Sequence, residues 1–444
     1  MKKQNPRKPF RPLVQIFKLF KEKMFIKKYG LTIDRQAIKE QKPPYIVIFN
    51  HIGYDDHLIV GLTLYPQLAN FMVVKYVKHT FPDGPLSYLA GSIYKDRYIP
   101  DATAVLGAKR VLTEHKGVVA ISPAACYCFD GTPQYFDYSI AKLIKMFKVP
   151  VFAIKLHGMY FMHNRFRKDR QNAKIKSEVV KVFGENEMTN MPVEQIYKKL
   201  YDICDFNDFA FQEEEGFKVT APKNDAAKGM EYIIYKCLNC GEEFEMKGEG
   251  NVLYCKKCQN AVKVNDSYHF EPLNEKSVYV DSIAKWNAIQ RRLIDAETQK
   301  DDFSLSEPCE VYHYKKGKRY GIKRYGQGIL TLDKNGFKYV GTDYGINTEL
   351  FFELKHTPSI GVETTVGVKN KMYIVFDGND YVTRFILKNM TKAIKFQQCL
   401  QYLRYKYYPD FEGQREWMNS RPSRIFNGRI LGAKPKTDIF NKNQ

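Results

Sequence analysis

Apolar positions fall into two different rhythms along this chain. From 45 to about 158, dense apolar runs alternate with stretches of helical periodicity. Tyr45–Phe49, Phe71–Lys75, Val118–Ile121 and Val149–Leu156 are too continuously apolar to leave one face wet, so they read as strands covered on both sides. Between them, Asp56–Leu64 and Asp101–His115 repeat apolar residues every three or four positions, as Ala102, Val105, Leu106, Val111 and Leu112 do. The alternation predicts an α/β domain with a mostly parallel or mixed sheet over 31–205. Lys174–Phe183 and Pro192–Cys204 supply its final strand and helix, and the polar stretch 206–230 reads as a connector carrying no identifiable chemistry. A helix over Ser282–Asp295 lies in a helical linker, 266–307. Beyond it the rhythm shortens to period two. Gly326–Leu332, Phe337–Thr342, Leu350–Leu354, Gly361–Val366, Lys371–Phe376 and Tyr381–Leu387 are separated by turn signals such as Asp333-Lys334-Asn335-Gly336 and Asp377-Gly378-Asn379-Asp380. An amphipathic helix, Met390–Tyr407, follows. This predicts an antiparallel, β-barrel-like domain over 308–410.

Charge narrows the class of partner. The 444 residues carry 70 Lys+Arg against 49 Asp+Glu, a net +21, which favours nucleic acid, a phosphate-bearing substrate or an anionic membrane surface. Residues 1 to 28 hold ten of the basic residues and one acid, Glu22. Phe10, Leu13, Phe17, Phe20 and Met24 recur there at helical spacing. A basic amphipathic helix over 1–30 suits the plane of an anionic bilayer, or else packs its apolar stripe on the domain behind it. No run of 18 apolar residues exists, so no transmembrane helix is expected, and Lys18, Lys21 and Lys23 break any signal-peptide core. The expected place is peripheral, on the cytoplasmic face of the cell membrane. The tail, 411–444, is basic and rich in Asn, Gly and Pro, a composition that favours poor order.

Within 231–265, Cys237-Leu238-Asn239-Cys240 and Cys255-Lys256-Lys257-Cys258 stand fourteen residues apart. Each pair sets two sulfurs on one side of a tight turn, and two turns complete a tetrahedron for Zn²⁺. Four thiolates leave no open coordination position, so the zinc is expected to be structural. Gly248-Glu249-Gly250-Asn251 predicts a hairpin between the pairs. Zinc ribbons can bind nucleic acid, but no aromatic stacking platform accompanies Lys256 and Lys257. Scaffold duty is expected, and nucleic acid is not.

Candidate chemistry gathers after the first buried strand, in Asn50-His51-Ile52-Gly53-Tyr54-Asp55-Asp56-His57. A histidine and an aspartate five positions later can meet across a turn entering a helix. Asp56 then holds one ring nitrogen of His51 and leaves the other free to take a proton, which is what a general base requires. Taken alone, the same stretch also reads as an ordinary polar loop. Downstream, Gly91-Ser92-Ile93-Tyr94-Lys95-Asp96-Arg97 brings an arginine, whose planar fork suits a phosphate, and Lys75 lies in the same segment. Ser122-Pro123-Ala124-Ala125-Cys126-Tyr127-Cys128-Phe129-Asp130-Gly131 follows another strand. Lys148-Val149-Pro150-Val151 opens the next. Cys126 or Cys128 beside a histidine would form an alternative, nucleophilic pair.

In order and spacing these blocks resemble the glycerophospholipid acyltransferases of the lysophosphatidic acid acyltransferase type, over about residues 10 to 205. His51 and Asp56 match Asn-His-x4-Asp; Gly91 to Arg97 match Gly-x-Ile-Phe-x-Asp-Arg with Tyr94 for Phe; Pro150 matches the Val-Pro strand. The third motif departs: Ala124 stands where the family has glutamate, and Cys126 at or beside its arginine. The resemblance implies that His51 and Asp56 are catalytic and that Arg97, Lys75, Gly91 and Pro123 bind substrate. It implies transfer of a fatty acyl group from acyl-CoA or acyl carrier protein to an anionic lysophospholipid such as 1-acyl-glycerol-3-phosphate, in phospholipid biosynthesis. The departures at Ala124 and Cys126 keep a second reading open, a catalytically impaired relative that binds lipid or a partner protein. The C-terminal layout resembles a pleckstrin-homology-like or GRAM-like domain.

Overall fold

Tyr45–Phe49 carries no charged side chain, and all five of its residues are buried. That run is the middle strand of a seven-stranded α/β sheet in the computed structural model, which describes residues 4–79, 81–166, 169–219, 224–315, 324–364, 372–378, 381–426 and 428–437. The chain opens with α1 (Arg11–Tyr29), β1 (Thr32–Asp34), β2 (Tyr45–Phe49), α2 (Asp56–Leu64), β3 (Ala69–Val74), α3 (Asp83–Leu89) and β4 (Ile93–Lys95). It continues through α4 (Ala102–Thr113), β5 (Val118–Ile121), α5 (Ser139–Phe147), β6 (Val151–His157), α6 (Met159–Met162), β7 (Lys176–Phe183), α7 (Val193–Ile203) and α8 (Asp208–Glu215).

The seven strands run in the order β1-β7-β6-β2-β5-β3-β4. β6, β2, β5, β3 and β4 are mutually parallel, while β7 pairs antiparallel with β6. The loops leaving the carboxyl ends of the parallel strands therefore share one edge, where open α/β sheets gather their sites. Residues 50–55, 75–79, 96–101 and 122–138 belong to those loops, and the connection after β6 runs through α6 to residues 163–166 and 169–175.

Past α8 come β8 (Met246–Glu249), β9 (Val252–Cys255), β10 (Ala261–Val264) and β11 (Phe270–Pro272), a four-stranded antiparallel sheet. The expected hairpin is β8–β9, turning at Gly250 and Asn251. β12 (Val278–Tyr279) and α9 (Ile283–Thr298) follow, the helix capped by Ser282 Oγ accepting from Lys285 N. A second seven-stranded sheet, wholly antiparallel, comprises β13 (Leu305–Lys315), β14 (Arg324–Asp333), β15 (Gly336–Asp343), β16 (Ile346–Glu353), β17 (Gly361–Thr364), β18 (Met372–Asp377) and β19 (Tyr381–Leu387). Its order is β16-β15-β14-β13-β19-β18-β17. Residues 365, 366 and 371 of the expected strands and 379–380 of the expected turn lie outside the described residues. Helix α10 (Lys392–Tyr407) packs on β14, β17 and β18 and on α9.

Two expectations change. The stretch 206–230 includes α8, whose Asn207 side chain caps its first turn by accepting from Phe209 N and Ala210 N. The tail is built into the molecule as α11 (Gln414–Asn419) and β20 (Leu431–Gly432), which pairs with β12. Arg415 grips Asp295 through Nε at 2.7 Å, and Met418 is fully buried. Tertiary partners absorb charges that composition alone assigns to solvent. Residues 438–444 lie outside the described residues.

Helix α1 docks through Phe25 and Tyr29. Leu19 (71% exposed), Phe20 (74%) and Ile16 remain open to solvent, with Lys23 and Lys27 beside them. The exposed stripe is thus rotated from the one expected, since Leu13, Phe17 and Met24 are half-buried. No described helix is long and apolar enough to cross a membrane.

Candidate active site

β2 ends at Phe49, and Asn50 immediately ties the turn to the neighbouring strand. Its Nδ2 donates to Leu156 O at 2.7 Å, and Leu156 N donates back to Oδ1 at 2.8 Å. This fixes where His51 emerges. The chain then folds so that the Asp56 carboxylate, opening α2, accepts from Ile52 N at 2.7 Å and from Gly53 N at 3.0 Å. The same group meets His51 Nδ1 at 2.9 Å. With a carboxylate on Nδ1, the proton resides there and Nε2 keeps its lone pair. Burial raises the Asp56 carboxyl, while His51 and the two amides pull the other way. The His51 side chain is 23% exposed and lies against Tyr127, with ring centroids 4.3 Å apart.

A second carboxylate–histidine contact adjoins the first. Asp55 lies 3.6 Å from His163 Nδ1 and is gripped by Arg170 through Nε at 2.9 Å and Nη2 at 2.8 Å. Burial would raise this carboxyl, but the nearby His163 and the charge and hydrogen bonds of Arg170 hold it well below the usual carboxylate range. Tyr54 bridges the two contacts, its ring 4.9 Å from Tyr127 and 5.2 Å from His163. Asp55, His163 and Arg170 form an arrangement that the sequence reading missed. The only sequence cue was the doubled aspartate at 55–56.

The other candidate residues stand elsewhere along the same edge. Lys75 pairs with Asp96 and, at 2.9 Å, with Asp101. Gly91 has φ +67°, and a Cβ there would lie 2.2 Å from Arg7 O. Asn70 Nδ2 donates to both Arg7 O and Gly91 O, so the glycine lets the N-terminal segment cross β4. Gln4 completes that crossing by exchanging side-chain hydrogen bonds with the Tyr94 backbone. Pro123 is half-buried at the start of the third loop. In that loop Cys128 N donates to His51 O at 3.0 Å, and Cys128 Sγ points to Ile52 O at 3.6 Å. Burial pushes the Cys128 thiol well above its ordinary range, which does not suit a nucleophile. Ala124 and Cys126 are both buried, and Cys126 Sγ lies 3.5 Å from the Tyr98 hydroxyl.

Arg97 is not open to a ligand in this conformation. Its side chain is 6% exposed, with Nη2 at 2.8 Å from Glu363 Oε1 and Nε at 3.7 Å from Asp377 Oδ2. Its backbone N also donates to Asp377 Oδ2 at 2.9 Å. Both partners belong to the antiparallel sheet, more than 260 residues downstream, and no local pattern marked them. Arg165 joins the cluster, donating through Nη1 to Tyr127 O at 3.3 Å and through Nη2 to Val362 O. Burial would raise the Glu363 carboxyl, but Arg97 and Arg384 hold it below its ordinary value.

Apart from this edge, the sulfurs of Cys237, Cys240, Cys255 and Cys258 all lie within 4.8 Å of one another. Cys237–Cys258 and Cys240–Cys255 are 3.6 and 3.9 Å apart. Ligands at about 2.3 Å from a tetrahedral zinc are about 3.8 Å apart, so the four thiols fit such an ion. Asn239 Nδ2 reaches Cys258 Sγ at 3.6 Å, and Asn260 Nδ2 reaches Cys237 Sγ at 3.9 Å. Amide donors at these positions stabilise thiolates.

No protein-family model matches the chain, and no curated protein matches it. Three solved chains match it. One of these is the 1-acyl-sn-glycerophosphate (LPA) acyltransferase PlsC from Thermotoga maritima, to which this chain is similar at 14% sequence identity and a TM-score of 0.36, over 46% of this chain and 80% of that one.

Proposed function

We propose that this protein transfers a fatty acyl group from acyl-CoA or acyl carrier protein to the free hydroxyl of a lysophospholipid such as 1-acyl-glycerol-3-phosphate, serving phospholipid biosynthesis. The observation that carries the reading is the His51 imidazole, held through Nδ1 by the buried Asp56 carboxylate at the mouth of the parallel sheet. His51 Nε2 takes the proton of the acceptor hydroxyl as its oxygen attacks the thioester carbonyl carbon. The C–S bond breaks, and the leaving thiolate recovers that proton from the imidazolium. No acyl-enzyme is required, so no protein nucleophile is needed. The motif resemblance around His51, Gly91 to Arg97 and Pro150 agrees with this chemistry. We read the exposed stripe of α1 as the contact with an anionic membrane, the four cysteines as a structural zinc site, and the C-terminal sheet with its helix as pleckstrin-homology-like or GRAM-like.

A second reading, a lipid- or partner-binding relative without turnover, is favoured by Ala124 and by the pairing of Arg97 with Glu363 and Asp377. Purified protein offered lysophosphatidate with acyl-CoA or acyl carrier protein separates the two. Under the first reading phosphatidate forms, and His51→Ala lowers turnover by about 10²–10⁴-fold without altering the melting temperature. Absence of product with every lysolipid and both donors would leave the second.

A further inference from the structure

Glu363 sits in a position with the chemistry of an anion-binding site. Its Oε1 lies 2.8 Å from Arg97 Nη2 and its Oε2 lies 3.4 Å from Arg384 Nη2. The charge of Arg165 also falls on it. Arg165 is held in turn by Tyr127 O, and the ring of Tyr127 lies against His51. The arginine cluster is therefore one residue removed from the imidazole. Glu363 arrives on β17, a four-residue strand pressed against this edge by two hydrogen bonds. Arg165 Nη2 donates to Val362 O, and Thr364 Oγ1 donates to Arg165 O at 3.1 Å. Gly361 permits the approach, because a Cβ there would lie 3.1 Å from Arg97 Nη1.

We infer that Glu363 is an internal occupant of the site for the acceptor's phosphomonoester, so that the edge strand β17 competes with substrate for Arg97, Arg165 and, in its own sheet, Arg384 of β19. The inference rests on reading His51 and Asp56 as the acyl-transfer pair. The charges support it. Three guanidiniums face two carboxylates, Glu363 and Asp377, leaving one positive charge. With Glu363 withdrawn, three guanidiniums face one carboxylate, leaving two, which matches a phosphomonoester carrying about −1.5 to −2 at neutral pH. A carboxylate fits the same planar fork as a phosphate, and tethering keeps it at high effective concentration. Arg97 and Arg384 more than offset the desolvation of that single negative charge, so displacing it takes the greater charge of a phosphomonoester dianion. Until that happens, the apparent affinity for acceptor is reduced by the fraction of molecules in which β17 has withdrawn.

The test uses full-length protein and Glu363→Gln, which keeps the side-chain volume and removes the charge. Calorimetric titration with sn-glycerol 3-phosphate should show affinity at least about tenfold higher in E363Q than in wild type. Adding Arg97→Gln should abolish the gain. No gain in E363Q overturns the inference. Inorganic phosphate bound as tightly as glycerol 3-phosphate overturns it too, because the site would then accept any free phosphate. Should E363Q fail to fold, hydrogen exchange of wild type decides: saturating glycerol 3-phosphate should speed exchange at 361–364, and unchanged exchange overturns the inference. Acyl transfer to lysophosphatidate, assayed in parallel, separates the two readings. Tighter binding with no transfer by either protein removes the enzymatic reading and leaves the anion site. Transfer by wild type with no gain in E363Q removes only the competitor.

Discussion

Asp208 shows how a single buried group writes a pH dependence into the fold. It is fully buried at the start of α8, where its carboxylate accepts from Gly158 N at 3.0 Å and Tyr160 N at 2.9 Å. Burial pushes its carboxyl up to about 7. In the unfolded chain the group titrates near 4, so the folded state holds the proton more tightly. The resulting stabilisation is complete below about pH 4 and is lost as pH rises to about 7, a change of order 4 kcal/mol. Asp208→Asn removes that titration but turns an amide N–H₂ toward one of the two backbone donors. Urea midpoints should therefore show wild type well ahead of the variant at pH 5, with the gap narrowing by pH 8. A constant gap would mean that Asp208 does not titrate in that window. Asp56 differs in having His51 beside the same kind of buried carboxylate, which is the difference between a structural group and a candidate catalytic one.

At the scale of elements, the cysteine module couples outward. β8 and β9 carry the hairpin between the two CxxC turns, and Glu243, just before β8, bonds Lys395 of α10 at 2.8 Å. Lys395 is 2% exposed and also meets Glu297 of α9. A metal holding the ribbon therefore also positions a buried charge network on two long helices. Atomic absorption should find one zinc per chain, lost in Cys255→Ser. Chelation should lower the melting temperature by roughly 10 °C or more; a metal-free chain with an unchanged melt would exclude a structural ion. The CxxC spacing was legible because the ligands are local. So was the helix expected over Ser282–Asp295, and so was α2, whose boundaries match the expected Asp56–Leu64. α8 was not, because its apolar positions, Phe209 and Phe211, are buried by Tyr160, Phe161 and Phe217 rather than by a helical stripe of its own.

The whole molecule carries +21, and the basic residues of α1 flank an apolar stripe that covers nothing within the described chain. Phosphatidylserine vesicles should sediment the protein at low salt and release much of it at about 0.5 M salt, where screening shortens the reach of each lysine. Leu19→Glu with Phe20→Glu should weaken binding at least about tenfold, since each buried apolar side chain contributes about 1.5–3 kcal/mol. Binding unaffected by the pair would move the membrane contact to another face.

The linear order of residues was enough to determine the parallel core strands, α2, the pairing of His51 with Asp56 and the four-cysteine cluster. In each case the partners are close in the chain, or the apolar period is set by burial on both faces. What covers Arg97, which residues line up beside Asp55, and how the tail is absorbed were decided only in three dimensions. Glu363 and Asp377 reach Arg97 because a separate sheet brings its edge strand β17 and the adjoining β18 to the mouth of the first. Nothing in the spacing of a charged residue says which distant guanidinium it will meet, since that depends on how two independently patterned units dock.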